Sequence, residues 1–410
     1  VGVDELDVVV VGAGQAGLAT SHELSARGVE HVVLEAAQPG GSWSERRDSF
    51  TLVGPDHTVR LPGATYAGDD PGGFMSGTAV TEHLRDYAAR LPAELRTGTP
   101  VRRLTPARGG YRLDTDDGAV RARQVVVATG AFQRPLRLPA LAGLAPSVAV
   151  VDVAGYRNPA ALPEGAVLVV GSGQSACQIA EELVLAGRRV VMACGRAPWF
   201  PRRVGGRDLF EWLIAAGFYE QTPDDVPPAA RQRANVQATG SRGGHDLHHR
   251  TLHALGVELA GHLLAVDGLT ARVATDLGET LTTADEGHAV VASLVRRVCA
   301  AEGLRPPTSS RPRTRRRSWP PLRTPSTSPV SARSSSRAAS GRATRSGCRS
   351  RASSTSTASR CTSTVRASSH RGCTSSASTS CDGAGRPCSS GSVTTRRRAP
   401  SAWPARPDLT

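Results

Sequence analysis

Two stretches of this chain repeat one pattern of apolar and polar positions. Residues 7–11 (DVVVV) are a short β-branched run without alternation, the pattern of a strand buried on both faces in a parallel sheet. The run turns through a glycine-rich step at 12–17 into an amphipathic stretch over 18–27, which predicts a helix closed by Gly28. Residues 31–35 predict the next strand, so the chain opens on a βαβ unit. With an offset of 159, positions 8–37 lie over 167–196 without a gap, and 10 of the 30 pairs are identical. Gly12, Gly14, Gln15, Glu23, Leu24 and Gly28 meet Gly171, Gly173, Gln174, Glu182, Leu183 and Gly187. One strand–turn–helix unit is present twice.

Between the copies, 80–90 predicts a helix and 101–104 a strand. Residues 112–117 and 119–123 predict a hairpin around Asp117-Gly118, and 125–128 another buried strand ending at Thr129-Gly130. Proline-rich connections at 135–146 and 157–163 mark the crossing into a second domain, which ends near residue 300 in a helix predicted over 286–302.

The glycine steps carry the candidate chemistry. In Gly12-x-Gly14-x-x-Gly17 the first glycine permits the tight turn, the second lets the backbone approach a pyrophosphate, and the third lets helix pack on strand. A pyrophosphate then lies at a helix N-terminus, where free N–H groups and the dipole favour negative charge. Glu35 ends the next strand 18 residues after Gly17, placed to accept from a ribose 2′-hydroxyl. The second step reads Gly171-Ser-Gly173-Gln-Ser-Ala176, and the offset puts Cys194 where Glu35 stands, with Arg196 two residues on. An acid there would repel a 2′-phosphate and an arginine can grip it, which points to NADPH; the plainer reading of Arg196 is a solvated loop residue. The expected fold class is α/β, two Rossmann-like dinucleotide-binding domains with a disordered C-terminal tail.

Composition divides the chain unevenly. The formal charge is +14, but residues 306–410 hold 20 of the 50 basic residues and two acids, Asp382 and Asp408. Residues 1–305 carry 30 bases against 34 acids, a net of −4, so the charge is no argument for a nucleic-acid or membrane partner of the folded part. Every base is arginine; asparagine and isoleucine occur twice each, which implies a GC-rich gene. An acidic start without a visible signal peptide, and apolar runs short of a membrane span, lead us to expect a cytoplasmic protein. Only Cys177, Cys194 and Cys299 precede residue 306, without zinc spacing. The histidines at 245, 248, 249 and 253 invite a metal, but no acid or thiol has suitable spacing, so no metal is expected.

The segments Gly40-Gly-Ser-Trp43, Arg47-Asp-Ser-Phe-Thr-Leu52, Ala128-Thr-Gly130 and Val169-Val-Gly-Ser-Gly-Gln-Ser175 together resemble the flavin-containing monooxygenase family. The likeness is greatest to bacterial FAD-dependent class B members and covers roughly residues 4–305. The resemblance implies an FAD domain over 1–150 and an NAD(P)H domain over 151–305. It implies FAD contacts at Gly12, Gly14, Gly17, Glu35, Trp43, Val101 and Gly130, and Gln15 counts with this loop. NADPH contacts fall on Gly171, Ser172, Gly173, Gln174, Ser175 and Arg196. The implied reaction passes electrons from NADPH to the flavin, traps O₂ as a C4a-(hydro)peroxide and oxygenates a small organic substrate. No residue is assigned a catalytic role. Relatives often carry an asparagine after the Leu52 segment to support that intermediate; this chain has Pro55-Asp56, and an anionic Asp56 would not donate the same hydrogen bond.

The family continues for about a hundred residues that re-enter the FAD domain. Here residues 306–410 contain no Phe, Tyr, Ile, Met or Glu, while serine fills 27 positions and arginine 20. Nothing in that composition offsets the entropy of folding. Read one frame over, the codons of residues 372–381 accommodate LYFLGLHFL, an apolar strand-like segment of the kind the family carries near its C-terminus. Residues 306–410 are therefore expected to be an out-of-frame remnant, shifted near 305–318; the competing reading is a genuine Arg/Ser-rich tail that binds nucleic acid. Two further function classes stay open: an NAD(P)H reductase or oxidase without oxygenation, and a disulfide reductase, which needs a redox cysteine pair beside the flavin. The sequence says nothing of oligomeric state.

Overall fold

A computed structural model describes residues 4–132, 134–225 and 237–307. The expected tail and its shifted frame lie outside the described residues, from 308 onward.

The first sheet is built on β1 (Asp4–Val11), β2 (His31–Leu34), β3 (Glu94–Arg96), β4 (Val101–Ala107), β5 (Gly110–Thr115) and β6 (Gly118–Val127). Its order is β3-β2-β1-β6-β5-β4. The four strands β3 to β6 in that order run parallel, and β6, β5 and β4 form an antiparallel meander at the other edge. Val9 and Val10 of β1 are both fully buried but face different cores. Val10 packs with Leu18, Val33 and Leu84, on the side of α1 (Gln15–Ala26) and α2 (Gly77–Ala88); Val9 packs with Val32, Leu113 and Val120 of the sheet's other face. Two covered faces explain a strand without alternation, and each buried valine contributes about 1.5–3 kcal/mol.

Three expectations change here. Helix α1 starts at Gln15 rather than 18, so Gly17 lies inside its first turn. The strands expected at 119–123 and 125–128 are one continuous β6, interrupted in pattern only by Arg123 and Gln124. Nor is its end buried, because Val127 is 62% exposed. β5 pairs with β6 only as far as Ala122, so among the described residues the rest of β6 has a neighbour on the β1 side alone.

The crossing includes β7 (Gly143–Leu144). The second parallel sheet, ordered β8-β9-β10, consists of β8 (Val167–Val170), β9 (Val190–Ala193) and β10 (Glu258–Ala260). Against it pack α3 (Gln174–Leu185) and α5 (His249–Ala254), through Ile179, Leu183, Met192, Leu252 and Val257; α4 (Leu209–Ala215) lies apart from them. β7 joins β11 (Leu263–Gly268) and β12 (Thr270–Val273) in a small sheet. The last helix, α6 (Leu277–Glu302), starts nine residues before the predicted 286. Leu277 and Leu281 of that extra length enter the core of the second sheet, so tertiary packing supplies what a threonine-rich stretch lacks in helix propensity. No helix among the described residues is long and apolar enough to cross a membrane.

Candidate dinucleotide sites

Both glycine steps stand at the carboxyl end of the first strand of a parallel sheet, where open α/β sheets bind ligands. Gly12 leaves β1 with φ +105°, a conformation only glycine adopts freely, and its N–H donates to Leu34 O at 2.7 Å. A β-carbon at Gly12 would stand 2.6 Å from Ala128 O, and one at Gly17 only 1.8 Å from Gly12 O. These two glycines clamp the loop between helix and sheet. Around a β-carbon at Gly14 there is nothing within 4 Å, so the middle glycine borders open space at the N-terminus of α1. That cradle fits a pyrophosphate.

Two of the segments expected around this loop meet at Ala13. Glu35 Oε2 accepts the Ala13 N–H at 2.6 Å and Oε1 that of Ala37 at 3.0 Å. Its carboxylate thus closes the loop and still has lone pairs for a ribose hydroxyl. Gly40 donates its N–H to Ala13 O at 3.1 Å, which ties the Gly40–Trp43 segment to the same loop. Trp43 packs beside the core of α1 and α2, with the Arg46 guanidinium 5.6 Å from its ring centre. Val101 opens β4 two residues beyond Thr99, whose N–H reaches Glu35 O at 2.9 Å. Gly130, with φ +82°, turns the chain just after β6, beside Ala128, which donates to Val11 O. Gln15 begins α1.

The second loop is closed differently. Gly171 has φ +99° and donates its N–H to Ala193 O at 2.9 Å. Ser172 Oγ donates to Gly195 O at 2.7 Å and accepts the Gly195 N–H at 3.0 Å, replacing the clasp that Glu35 makes in the first copy. β-Carbons at Gly171 and Gly173 would meet nothing within 4 Å, and Gln174 and Ser175 form the first turn of α3. Cys194, the counterpart of Glu35, is fully buried and points no charge at the loop; burial pushes its thiol up to about 12. Arg196 is solvent-exposed and pairs with Glu279 at 2.8 Å.

Sequence reasoning missed the groups that join the two loops' surroundings. Buried Arg47 donates to Gln178 Oε1 on α3 at 2.8 Å, and Gln178 Nε2 reaches Thr239 Oγ1 at 3.3 Å. Arg202, 2% exposed, bonds Asp208 at 2.9 Å and Val53 O at 2.7 Å and lies 4.4 Å from the centre of the Phe74 ring. No local signal in sequence marks these partners, which stand up to 149 residues apart. Asp56 is a loop staple: its Oδ1 accepts the Met75 N–H at 2.6 Å, and burial raises its carboxyl above the usual carboxylate range.

The histidines have separate duties. His245 meets Glu181 at 2.7 Å; His248 caps α5 and lies tilted against Trp199 with ring centres 4.2 Å apart; His249 is 1% exposed. Among the described residues no group of three or more metal-ligating side chains gathers. Burial lowers His248 and His249 from 6.5 to about 4. The unfolded chain therefore binds more protons between those pH values, and stability falls as pH falls through that window. At pH 4 the loss should reach on the order of 3 kcal/mol for each histidine. Urea unfolding midpoints measured from pH 7 to 4.5 check this; a flat profile would mean that both rings are charged without cost.

Residues 9–207 match the family model described as pyridine nucleotide-disulphide oxidoreductase. An uncharacterized CzcO-like oxidoreductase of Geobacillus kaustophilus (strain HTA426) is 35% identical over 214 residues, 52% of this chain and 61% of that protein. A probable indole-3-pyruvate monooxygenase of Arabidopsis thaliana, YUCCA4, is 32% identical over 180 residues, 43% of each chain. Among solved structures, a flavin-containing monooxygenase from Stenotrophomonas maltophilia is 25% identical with a TM-score of 0.47, over 66% of this chain and 74% of that one. The match thus spans 61% of the length of the Geobacillus relative.

Proposed function

We propose that this chain is a flavin monooxygenase-like oxidoreductase that binds FAD at the loop of Gly12–Gly17 and NADPH at that of Gly171–Ala176, and oxygenates a small organic substrate with O₂. The observation that carries the reading is the pair of loops itself, alike in their open middle glycine and different at the ribose position, Glu35 against Cys194 and Arg196. FAD held there would supply the redox chemistry between a nicotinamide and O₂ that the side chains themselves cannot. The chain's residues bind and orient: Gly14 and the first N–H groups of α1 hold the FAD pyrophosphate, and Glu35 its ribose. Gly173, Gln174 and Ser175 do the same for NADPH, with Ser172 fixing the loop and Arg196 taking the 2′-phosphate. On this reading residues 1–150 form the FAD domain, 151–305 the NAD(P)H domain, and 306–410 are translated out of frame. Disulfide exchange fits less well, because Cys177 and Cys194 are buried and burial raises both thiols away from the reactive thiolate.

A second reading is favoured by one observation. Val127 and Phe132, on either side of Gly130, are 62% and 83% exposed, so water reaches the strand end beside the first loop. A flavin held beside that strand end would be poorly shielded from water, and on this second reading the chain as written is an NAD(P)H oxidase. Arg196→Ala tests the cofactor assignment: KM for NADPH should rise about tenfold, with NADH use nearly unchanged. Equal losses with both cofactors would make Arg196 a structural residue.

A further inference from the structure

Arg196 does not face solvent alone. Its Nη2 donates to Glu279 Oε1 at 2.8 Å, across 83 residues of sequence. We infer that Glu279 is a specificity-determining residue of the second dinucleotide site, a carboxylate that competes with a nucleotide 2′-phosphate for the Arg196 guanidinium. The inference rests on the reading of Arg196 given above.

Glu279 is delivered by fixed structure. It lies in the first turn of α6, between Leu277 and Leu281, which are buried in the core that also holds Cys194. Thr280 donates its N–H to Asp276 O at 2.9 Å, and Asp276 is anchored by His262 Nδ1 at 2.6 Å. On the other side, Gly195 is held by Ser172, so the residue preceding Arg196 is also fixed. The two side chains remain 65% and 64% exposed, within reach of a ligand.

A phosphate engages a guanidinium best through two parallel N–H bonds. With Glu279 on Nη2, a 2′-phosphate must either turn the carboxylate away or bind with a negative group against its own charge. A ribose 2′-hydroxyl meets no such conflict, because it can donate to Glu279 and accept from Arg196. Arg196 and Glu279 therefore pull the nucleotide preference in opposite directions. The preference for NADPH is smaller than the arginine alone would set.

The test needs no flavin and no turnover. The full chain and its Glu279→Gln, Arg196→Ala and doubly substituted forms are titrated calorimetrically with adenosine 2′,5′-bisphosphate and with AMP. Glu279→Gln should bind the bisphosphate about fivefold more tightly, the scale of one exposed ion pair, and AMP no more tightly. In the Arg196→Ala background the same substitution should give no gain. If Arg196→Ala weakens bisphosphate binding but Glu279→Gln leaves it unchanged or weakens it, Glu279 presents the arginine or stands apart, and the inference fails while the Arg196 reading survives. A gain that persists without Arg196 also overturns it, as a general charge effect. A bisphosphate affinity indifferent to Arg196, or a chain that binds neither probe, removes the Arg196 reading and the inference with it.

Discussion

Gly17→Val is expected to strip the protein of FAD, with affinity falling about a hundredfold or more. A β-carbon at position 17 would lie 1.8 Å from Gly12 O and 2.9 Å from Gly12 C, both backbone atoms. The loop cannot retreat, because Gly12 is itself against Ala128 O and bonded to Leu34 O. Helix α1 must therefore swing off its sheet, taking its N-terminal donors away from the pyrophosphate position. Against this, alanine or valine in place of glycine should favour the helix, by up to about 1 kcal/mol for alanine. Overpacking of this severity costs about 1–3 kcal/mol or more, so the clash wins and the melting temperature should fall too. The second loop supplies the control: it already carries Ala176 at the equivalent place, so Ala176→Gly should leave NADPH binding nearly intact. Flavin absorbance retained after gel filtration reads the first effect; a yellow, stoichiometric Gly17→Val protein would remove the clamp argument.

What could be read from sequence was local. The strands β1 and β2, the helix after each glycine step and the repeat at 159 residues follow from neighbouring positions alone, and all stand in the structure. Boundaries failed where tertiary packing overrode pattern. Gly17 is a poor helix former, yet it lies in the first turn of α1, held against Gly12. β6 was divided because Arg123 and Gln124 break its apolar pattern, close to where, among the described residues, its meander partner ends at Ala122. At the candidate sites the glycines and Glu35 were legible, being fixed by motif spacing. Their supports were not: Gln178 for Arg47, Val53 O for Arg202 and Glu279 for Arg196 come from distant segments that only the fold brings near.

Restoring the reading frame from near codon 305 is expected to change this chain from a poor flavin binder into a stoichiometric one. Among the described residues a good deal of apolar surface is bare. Val127, Phe132 and Leu136, at the end of β6 and in the stretch past Gly130, are 62%, 83% and 86% exposed. Arg137 reaches toward Asp152 at 3.8 Å, so the stretch 148–153 runs beside it and adds Val150, Val151 and Val153, each about half exposed. Covering side chains of this size gains about 1.5–3 kcal/mol apiece, and a monomer seldom leaves so many together in water. Residues 306–410 as translated offer 27 serines and 20 arginines and lack Phe, Tyr and Ile, so they have little with which to cover that face. The shifted frame offers an apolar, aromatic-bearing segment in place of 372–381. With the face covered, water is kept from the flavin side of Gly130, and electrons from NADPH should go to substrate oxygenation instead of H₂O₂. Both proteins are to be purified in parallel and compared for flavin per chain and for peroxide released per NADPH consumed. The restored form should hold markedly more FAD and release markedly less peroxide. A chain as written that already carries full flavin and releases little peroxide would show that residues 306–410 serve the enzyme in the frame they are in.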